Sequence, residues 1–142
     1  MTDVIETARR HDEAFNGQDA EGRMAIEAPD IEAVLPGGVA LRGPDQMLAL
    51  VRVFWEALPD AKIAVDNQFA AGDTVVAEGN LIGTHSGTFR APQGEIPPSG
   101  NAVRLRYASV KKIRDGKVAS EHLYFDQMEF LQQIGGLPSE GR

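Results

Sequence analysis

Glu121 and His122 are adjacent in the run Lys117-Val118-Ala119-Ser120-Glu121-His122-Leu123-Tyr124-Phe125-Asp126, which otherwise reads as a β-strand. A carboxylate and an imidazole are the side chains most often used to take or give a proton near neutral pH, so this run is a candidate site of acid/base catalysis. The other groups able to do such chemistry are dispersed. His85 follows Gly83-Thr84 near a strand end, where it is either an exposed loop residue or a proton shuttle at a pocket rim. His11 falls on an apolar helix face, the usual place of a hydrogen-bonded core histidine. Asp126 is followed three residues later by Glu129, the spacing of a helix N-cap, which explains Asp126 without chemistry.

Other chemistries lack their residues. The three histidines are never paired at i, i+4 and there is no cysteine, so neither a metal site nor a thiol nucleophile is expected. No glycine-rich phosphate loop follows a strand and no Gly-x-Ser-x-Gly elbow occurs, so no nucleotide or other cofactor is expected. A net charge of −7, with no basic cluster longer than Lys111-Lys112, argues against nucleic acid and anionic membranes as partners. The polar, acidic start lacks the regions of a signal peptide, and a cytoplasmic location is the expectation. The 142 residues, 42% hydrophobic, suit one domain spanning 1–142, with no linker or repeat to divide it.

The elements that would position these groups are legible in outline. Thr2-Asp3 caps a first helix with the stripe Val4, Ala8, His11, Phe15, ended by Asn16-Gly17. A second helix is expected from Ala20 to Ala28, stopped by Pro29. Gly43-Pro44-Asp45 starts a third, with Met47, Leu50, Val51, Phe54 and Leu58 on one face. Trp55 lies one step off that stripe, where an aromatic ring roofs an apolar cavity or packs in the core. Three helices thus precede the first expected strand pair. From Lys62 the period changes to two: Ile63 to Phe69 leads through Ala71-Gly72-Asp73 into Thr74 to Ser86, and Val103 to Ile113 pairs with Lys117 to Phe125 across Asp115-Gly116. The segment from Arg90 to Gly100 carries too many prolines and glycines for a ladder and reads as a loop at a sheet edge or pocket mouth. Helices first and antiparallel strands afterwards indicate an α+β fold, closed by a short helix after Asp126.

Five segments fall in one order: Gly83-Thr84-His85-Ser86-Gly87, Ile96-Pro97-Pro98-Ser99-Gly100, Ile113-Arg114-Asp115-Gly116-Lys117-Val118, Phe125-Asp126 and Leu131-Gln132-Gln133-Ile134-Gly135, with Ala14-Phe15-Asn16 also in keeping. This series resembles the SnoaL-like polyketide cyclases and the related ester cyclases, over nearly the whole chain. The resemblance implies a nuclear-transport-factor-2-like cone, a curved antiparallel sheet wrapped around N-terminal helices. It also implies a homodimer and cofactor-independent chemistry. Family cyclases close a ring by an aldol step that uses a strand carboxylate, assisted by a histidine on the neighbouring strand. Counted from Phe125-Asp126 and Asp115-Gly116, those positions hold Leu123 and Ser109, with Tyr107 two residues before Ser109. The usual acid and histidine are therefore absent from their places.

Which face of the last strand meets the cavity depends on the hairpin. A two-residue turn at Asp115-Gly116 pairs Arg114 with Lys117, sets Ser109 opposite His122 and gives a wall of Ser120, His122, Tyr124 and Asp126. A three-residue turn with a glycine bulge sets Ser109 opposite Leu123 and gives Glu121, Leu123 and Phe125 beside Tyr107 and Ser109. The second is favoured, because Leu123 and Phe125 supply an apolar lining and Arg104 and Arg106 then face outward. The expected function is proton transfer on an apolar, oxygenated, polyketide-like small molecule, as in a cyclase or isomerase. Glu121 or His122 is the base and Tyr107 or His85 polarises an oxygen. A non-catalytic binding or carrier domain is the alternative, and a scaffold dimerising through its sheet is the third. Ala108 and Val110 beside Arg104 and Arg106 on the outer face are consistent with the homodimer.

Overall fold

The computed structural model describes residues 3–92 and 94–136. Helix α1 (Val4–Asn16) starts at Asp3, whose carboxylate accepts hydrogen bonds from the Ile5 and Glu6 amides. Thr2 lies outside the described residues. The α1 stripe buries Ala8, His11 and Phe15. Helix α2 (Ala20–Ala25), capped by Asp19, is shorter than its composition suggests. It gives way to strand β1 (Glu27–Leu35), which turns through Gly37 and Gly38, both at positive φ, into β2 (Val39–Arg42). The expected helix from Ala20 to Ala28 is thus corrected, as is the expectation of three helices before any strand. The main-chain oxygen of Ile26 already accepts from Val118 N–H, so sheet pairing captures the backbone that helix propensity would have claimed.

Helix α3 (Gly43–Ala57) follows, with Pro44 in its first turn, and then come β3 (Lys62–Ala71) and β4 (Thr74–Thr84). The segment read as a loop contains a small two-stranded hairpin, β5 (Phe89–Ala91) with β6 (Gly94–Ile96). The long strands β7 (Ala102–Arg114) and β8 (Lys117–Tyr124) precede α4 (Gln127–Gln133), capped by Asp126 through Met128 and Glu129 N–H. Six strands form one sheet in the order β2-β1-β8-β7-β4-β3. The sheet is antiparallel as expected, with one parallel ladder, β1 with β8. Irregularities between Glu27 and Glu32, Val65 and Asn67, and Lys112 and Ile113 bend the sheet around α1 and α3.

The β7/β8 hairpin combines features of both alternatives. Its turn has two residues, Asp115 at φ 53° and Gly116 at φ 73°, and pairs Arg114 with Lys117. Ala119 is then passed over, because Ile113 pairs with Val118 and Lys112 with Ser120. That bulge shifts the register by one and sets Ser109 opposite Leu123.

Gly79 of β4 stands opposite Tyr107. A Cβ there would lie 2.1 Å from the Ala64 carbonyl oxygen, a backbone atom beside the Val65 irregularity that cannot swing away. Gly79→Ala is expected to cost about 1–3 kcal/mol, seen as a lower urea midpoint at unchanged slope.

Candidate active site

Between α1, α3 and the inner face of the sheet lies a cavity of about 90 Å³ that opens to solvent. Its walls are mainly apolar: Phe15 from α1, Met47, Leu50, Val51 and Phe54 from α3, and Ile63, Leu81, Leu105, Leu123 and Phe125 from or next to the sheet. Asp12, Arg23, Tyr107, Ser109 and Glu121 supply the polar groups. Strand alternation places them: Tyr107, Ser109 and Lys111 share one face of β7, and Glu121 and Leu123 share the matching face of β8. Glu121 is thus one pleat, about 7 Å, from Leu123.

Behind the polar groups is a buried network. Lys111 Nζ donates to Asp12 Oδ1 at 2.8 Å and to His11 Nδ1 at 2.9 Å. Because Nδ1 accepts from an ammonium, the ring proton sits on Nε2 and donates to Glu27 Oε2 at 2.8 Å. Arg23 Nη1 donates to the His11 main-chain oxygen at 2.8 Å, and its guanidinium lies over the Phe15 ring. Glu121 is flanked rather than hydrogen-bonded, with Arg23 Nη2 and Lys111 Nζ each 3.9 Å from one of its oxygens.

Burial dominates the titration of these groups. It holds His11 well below the usual imidazole range, and the charges of Arg23 and Lys111 add to that. Burial also pushes Glu27 up to about 7, against the pull of Arg23 and with the help of Glu121. The Tyr107 phenol is raised by burial and by the carboxylates of Asp12, Glu121 and Asp66, so it stays protonated. Its hydroxyl is buried with no partner among the described residues, a donor available to whatever enters the cavity.

These shifts have opposite consequences for stability. His11 contributes stability at neutral pH that is lost as the pH falls below about 6.5, where the unfolded chain binds a proton the native state refuses. Glu27 is raised in the folded state, so its contribution is present below about 4.5 and is lost as the pH rises through about 7. Glu27→Gln is therefore expected to gain on the native protein between pH 4.5 and 8, by on the order of 3 kcal/mol, in urea titrations at the two ends of that range.

The structure brings Glu121, Tyr107, Ser109, Leu123 and Phe125 to the cavity. His122 is corrected to the outer face: alternation from Glu121 turns it out, opposite Val110 and Val34. His85 does not reach the cavity. It is fully buried beside the β6–β7 connection, where Ser99 N–H and Oγ both contact its Nδ1, and burial lowers its pKa. Trp55 is not among the lining residues, because its Nε1–H donates to the Phe15 main-chain oxygen. Arg104 and Arg106 are exposed on the outer face. Asp12, Arg23, Glu27 and Lys111 were not singled out from the sequence as site residues. For Lys111 a signal existed, because it has the same strand parity as Tyr107 and Ser109.

The model of one sequence family, SnoaL-like polyketide cyclase, matches residues 5–134. The chain belongs to the SnoaL-like polyketide cyclases. Solved structures agree with this assignment. A candidate SnoaL-like polyketide cyclase from Jannaschia sp. CCS1 is 25% identical, with TM-score 0.83 over 95% of this chain and 93% of that one. IdmH from Streptomyces antibioticus, a candidate polyketide cyclase, is 25% identical, with TM-score 0.80 over 94% and 99%. TerC, co-crystallised with polyporic acid, shares the fold at 23% identity, with TM-score 0.74 over 93% and 98%. No curated protein matches the chain. Two carboxylates of this chain, Asp12 and Glu121, line its cavity.

Proposed function

We propose that this SnoaL-like protein is a small-molecule enzyme that moves a proton on an apolar, oxygenated, polyketide-like substrate, with Glu121 as the base. The observation that carries this reading is the pairing, in one apolar cavity, of a carboxylate free of hydrogen bonds among the described residues with an unpartnered, protonated phenol. Glu121 would take a proton from carbon next to a carbonyl, and the electron pair would move to the carbonyl oxygen. Tyr107 would donate a hydrogen bond to that oxygen, and Ser109 lies within the same lining. The enolate would then attack a second carbonyl, forming a carbon–carbon bond, or be reprotonated at another carbon. Glu121 would return the proton in either case. Each step uses protein side chains alone. Arg23 and Lys111 are already matched by carboxylates, which favours an uncharged substrate.

A neutral bicyclic ketone, 2-tetralone, tests the chemistry. Deuterium incorporation at its acidic carbon, followed by NMR in deuterated buffer, is expected to exceed the buffer rate. Polyporic acid, which TerC was crystallised with, is a suitable binding probe. Binding of 2-tetralone without exchange would favour the alternative, a ligand-binding or carrier domain, for which the leucine at position 123 speaks.

The outer sheet face carries the homodimer in this reading. Phe69, Val76, Val110, His122 and Val34 form one cross-strand row there, with Phe69 53% exposed. Sedimentation is expected to show a dimer that Val110→Glu dissociates, and a native monomer would end the proposal.

A further inference from the structure

His11 touches both of the cations that face Glu121. Its ring nitrogen Nδ1 accepts from Lys111 Nζ at 2.9 Å, and its main-chain oxygen accepts from Arg23 Nη1 at 2.8 Å. Held in this way, the two cations stop at one distance from the two oxygens of a single carboxylate. Arg23 Nη2 is 3.9 Å from Glu121 Oε1 and Lys111 Nζ is 3.9 Å from Oε2. At that separation neither contact is a hydrogen bond. The difference matters for a base: a charge-assisted hydrogen bond at about 2.8 Å would occupy a lone pair and favour the ionised carboxylate. A cation held back by about 1 Å stabilises the charge while leaving the lone pairs for a proton.

The ammonium of Lys111 has three donors. Two are engaged, by Asp12 Oδ1 and by His11 Nδ1. The third has no hydrogen-bond partner among the described residues, and the position of Nζ, fixed by Asp12 and His11, keeps it 3.9 Å from Glu121 Oε2, so the imidazole and the candidate base compete for the place of this cation. The ring can compete only with Nδ1 unprotonated, and Glu27 secures that state by accepting from Nε2–H. Every element packed around the ring contributes a charged group: Asp12 from α1, Arg23 from α2, Glu27 from β1, Lys111 from β7 and Glu121 from β8.

We propose that His11 is a positioning residue for Glu121: its ring holds Lys111 off the carboxylate, and Glu27 fixes the ring in the tautomer that does so. This inference rests on the reading of Glu121 as the base. It adds a role to a buried histidine that otherwise looks like a satisfied core residue.

Two conservative variants separate positioning from structure. In His11→Gln the side-chain amide extends to the place of Nε2 and keeps a donor for Glu27, but offers Lys111 nothing at the place of Nδ1. In His11→Asn the amide oxygen lies near the place of Nδ1 and keeps an acceptor for Lys111, but loses Glu27. The carboxyl carbon resonance of Glu121 is followed against pH in both and in the native protein. In His11→Gln its midpoint is expected to fall by about one pH unit relative to native, a tenfold change in proton affinity, and the acid limb of 2-tetralone exchange should move with it. In His11→Asn both should stay within about threefold of native, since the Lys111 acceptor remains. A purely structural role would lower the unfolding midpoint of both variants alike and leave the Glu121 titration unmoved. That result overturns the proposal. The native protein supplies a test that needs neither variant to fold: nitrogen-15 spectra should show His11 protonated at Nε2 and bare at Nδ1 from pH 6 to 8, and a proton on Nδ1 overturns it. If native protein fails to exchange 2-tetralone, the reading of Glu121 as base fails, while the two NMR measurements still decide whether His11 holds Lys111.

Discussion

Glu121→Gln is expected to lower the exchange of 2-tetralone by about 10²–10⁴-fold, the usual worth of a positioned general base, with binding changed by no more than a few-fold. The amide keeps the shape of the side chain and can still face the cavity, so the loss would lie in the proton-transfer step. The neighbouring cations sharpen the prediction. Arg23 and Lys111 stand 3.9 Å from the Glu121 oxygens, and Lys111 keeps Asp12 as its hydrogen-bonded partner in the variant. Tyr107→Phe removes the donor without touching the base, and a smaller loss is expected from it than from Glu121→Gln. A Glu121→Gln protein that exchanges the probe at the native rate would show that the base is another group, with Asp12 the next carboxylate on the cavity lining.

Lys111→Met is expected to be the most damaging single change to stability. Lys111 is buried and is the hydrogen-bonded cation of Asp12, the ring partner of His11 and the neighbour of Glu121. Its removal leaves buried carboxylates with Arg23 as the remaining cation of the network. Stranding one partner of a buried pair costs about 3–5 kcal/mol, although replacing the whole pair by apolar groups can be neutral. The asymmetry gives the check. Urea unfolding of Lys111→Met should show a loss of that size, and Lys111→Met with Asp12→Asn should recover part of it, because the second change removes one of the stranded charges. Two equal losses that add without coupling would mean that the charges do not interact as the distances suggest.

Much of this arrangement was legible in the residues. Asp3 and Asp126 announce their helices by capping spacing, and both carboxylates accept the amides expected of N-caps. The strand pair across Ala71-Gly72-Asp73 and the hairpin at Asp115-Gly116 follow from turn chemistry and alternation. The preferred face of the last strand was reached through the need for an apolar lining, although the mechanism of the shift differs. The turn has two residues, and an irregularity at Ala119, which no residue type announces, restores the favoured register. Strand β1 escaped because Ala20 to Ala28 is rich in helix formers. What overrides that propensity is a parallel pairing with β8, about ninety residues away in sequence and invisible to local pattern. The network escaped for a related reason. His11, Glu27 and Lys111 lie on three elements, and each looks ordinary alone; only the fold brings the imidazole between a carboxylate and an ammonium.

His122 and His85 show that a reactive residue type does not by itself make a site. Both are chemically competent, yet one faces outward in an apolar row and the other pins the β6–β7 connection through Ser99. Orientation decides between them and Glu121, and in a strand it reverses at every residue.

Whether Glu121 and Tyr107 together address a substrate inside the cone is decided by a crystal structure with 2-tetralone soaked into the cavity. The ketone oxygen is expected about 3 Å from the Tyr107 hydroxyl and the acidic carbon within about 3.5 Å of a Glu121 oxygen, the geometry proton transfer requires. A ligand seated against Leu123 and Phe125 with its oxygen directed away from Tyr107 and its acidic carbon away from Glu121 would contradict it.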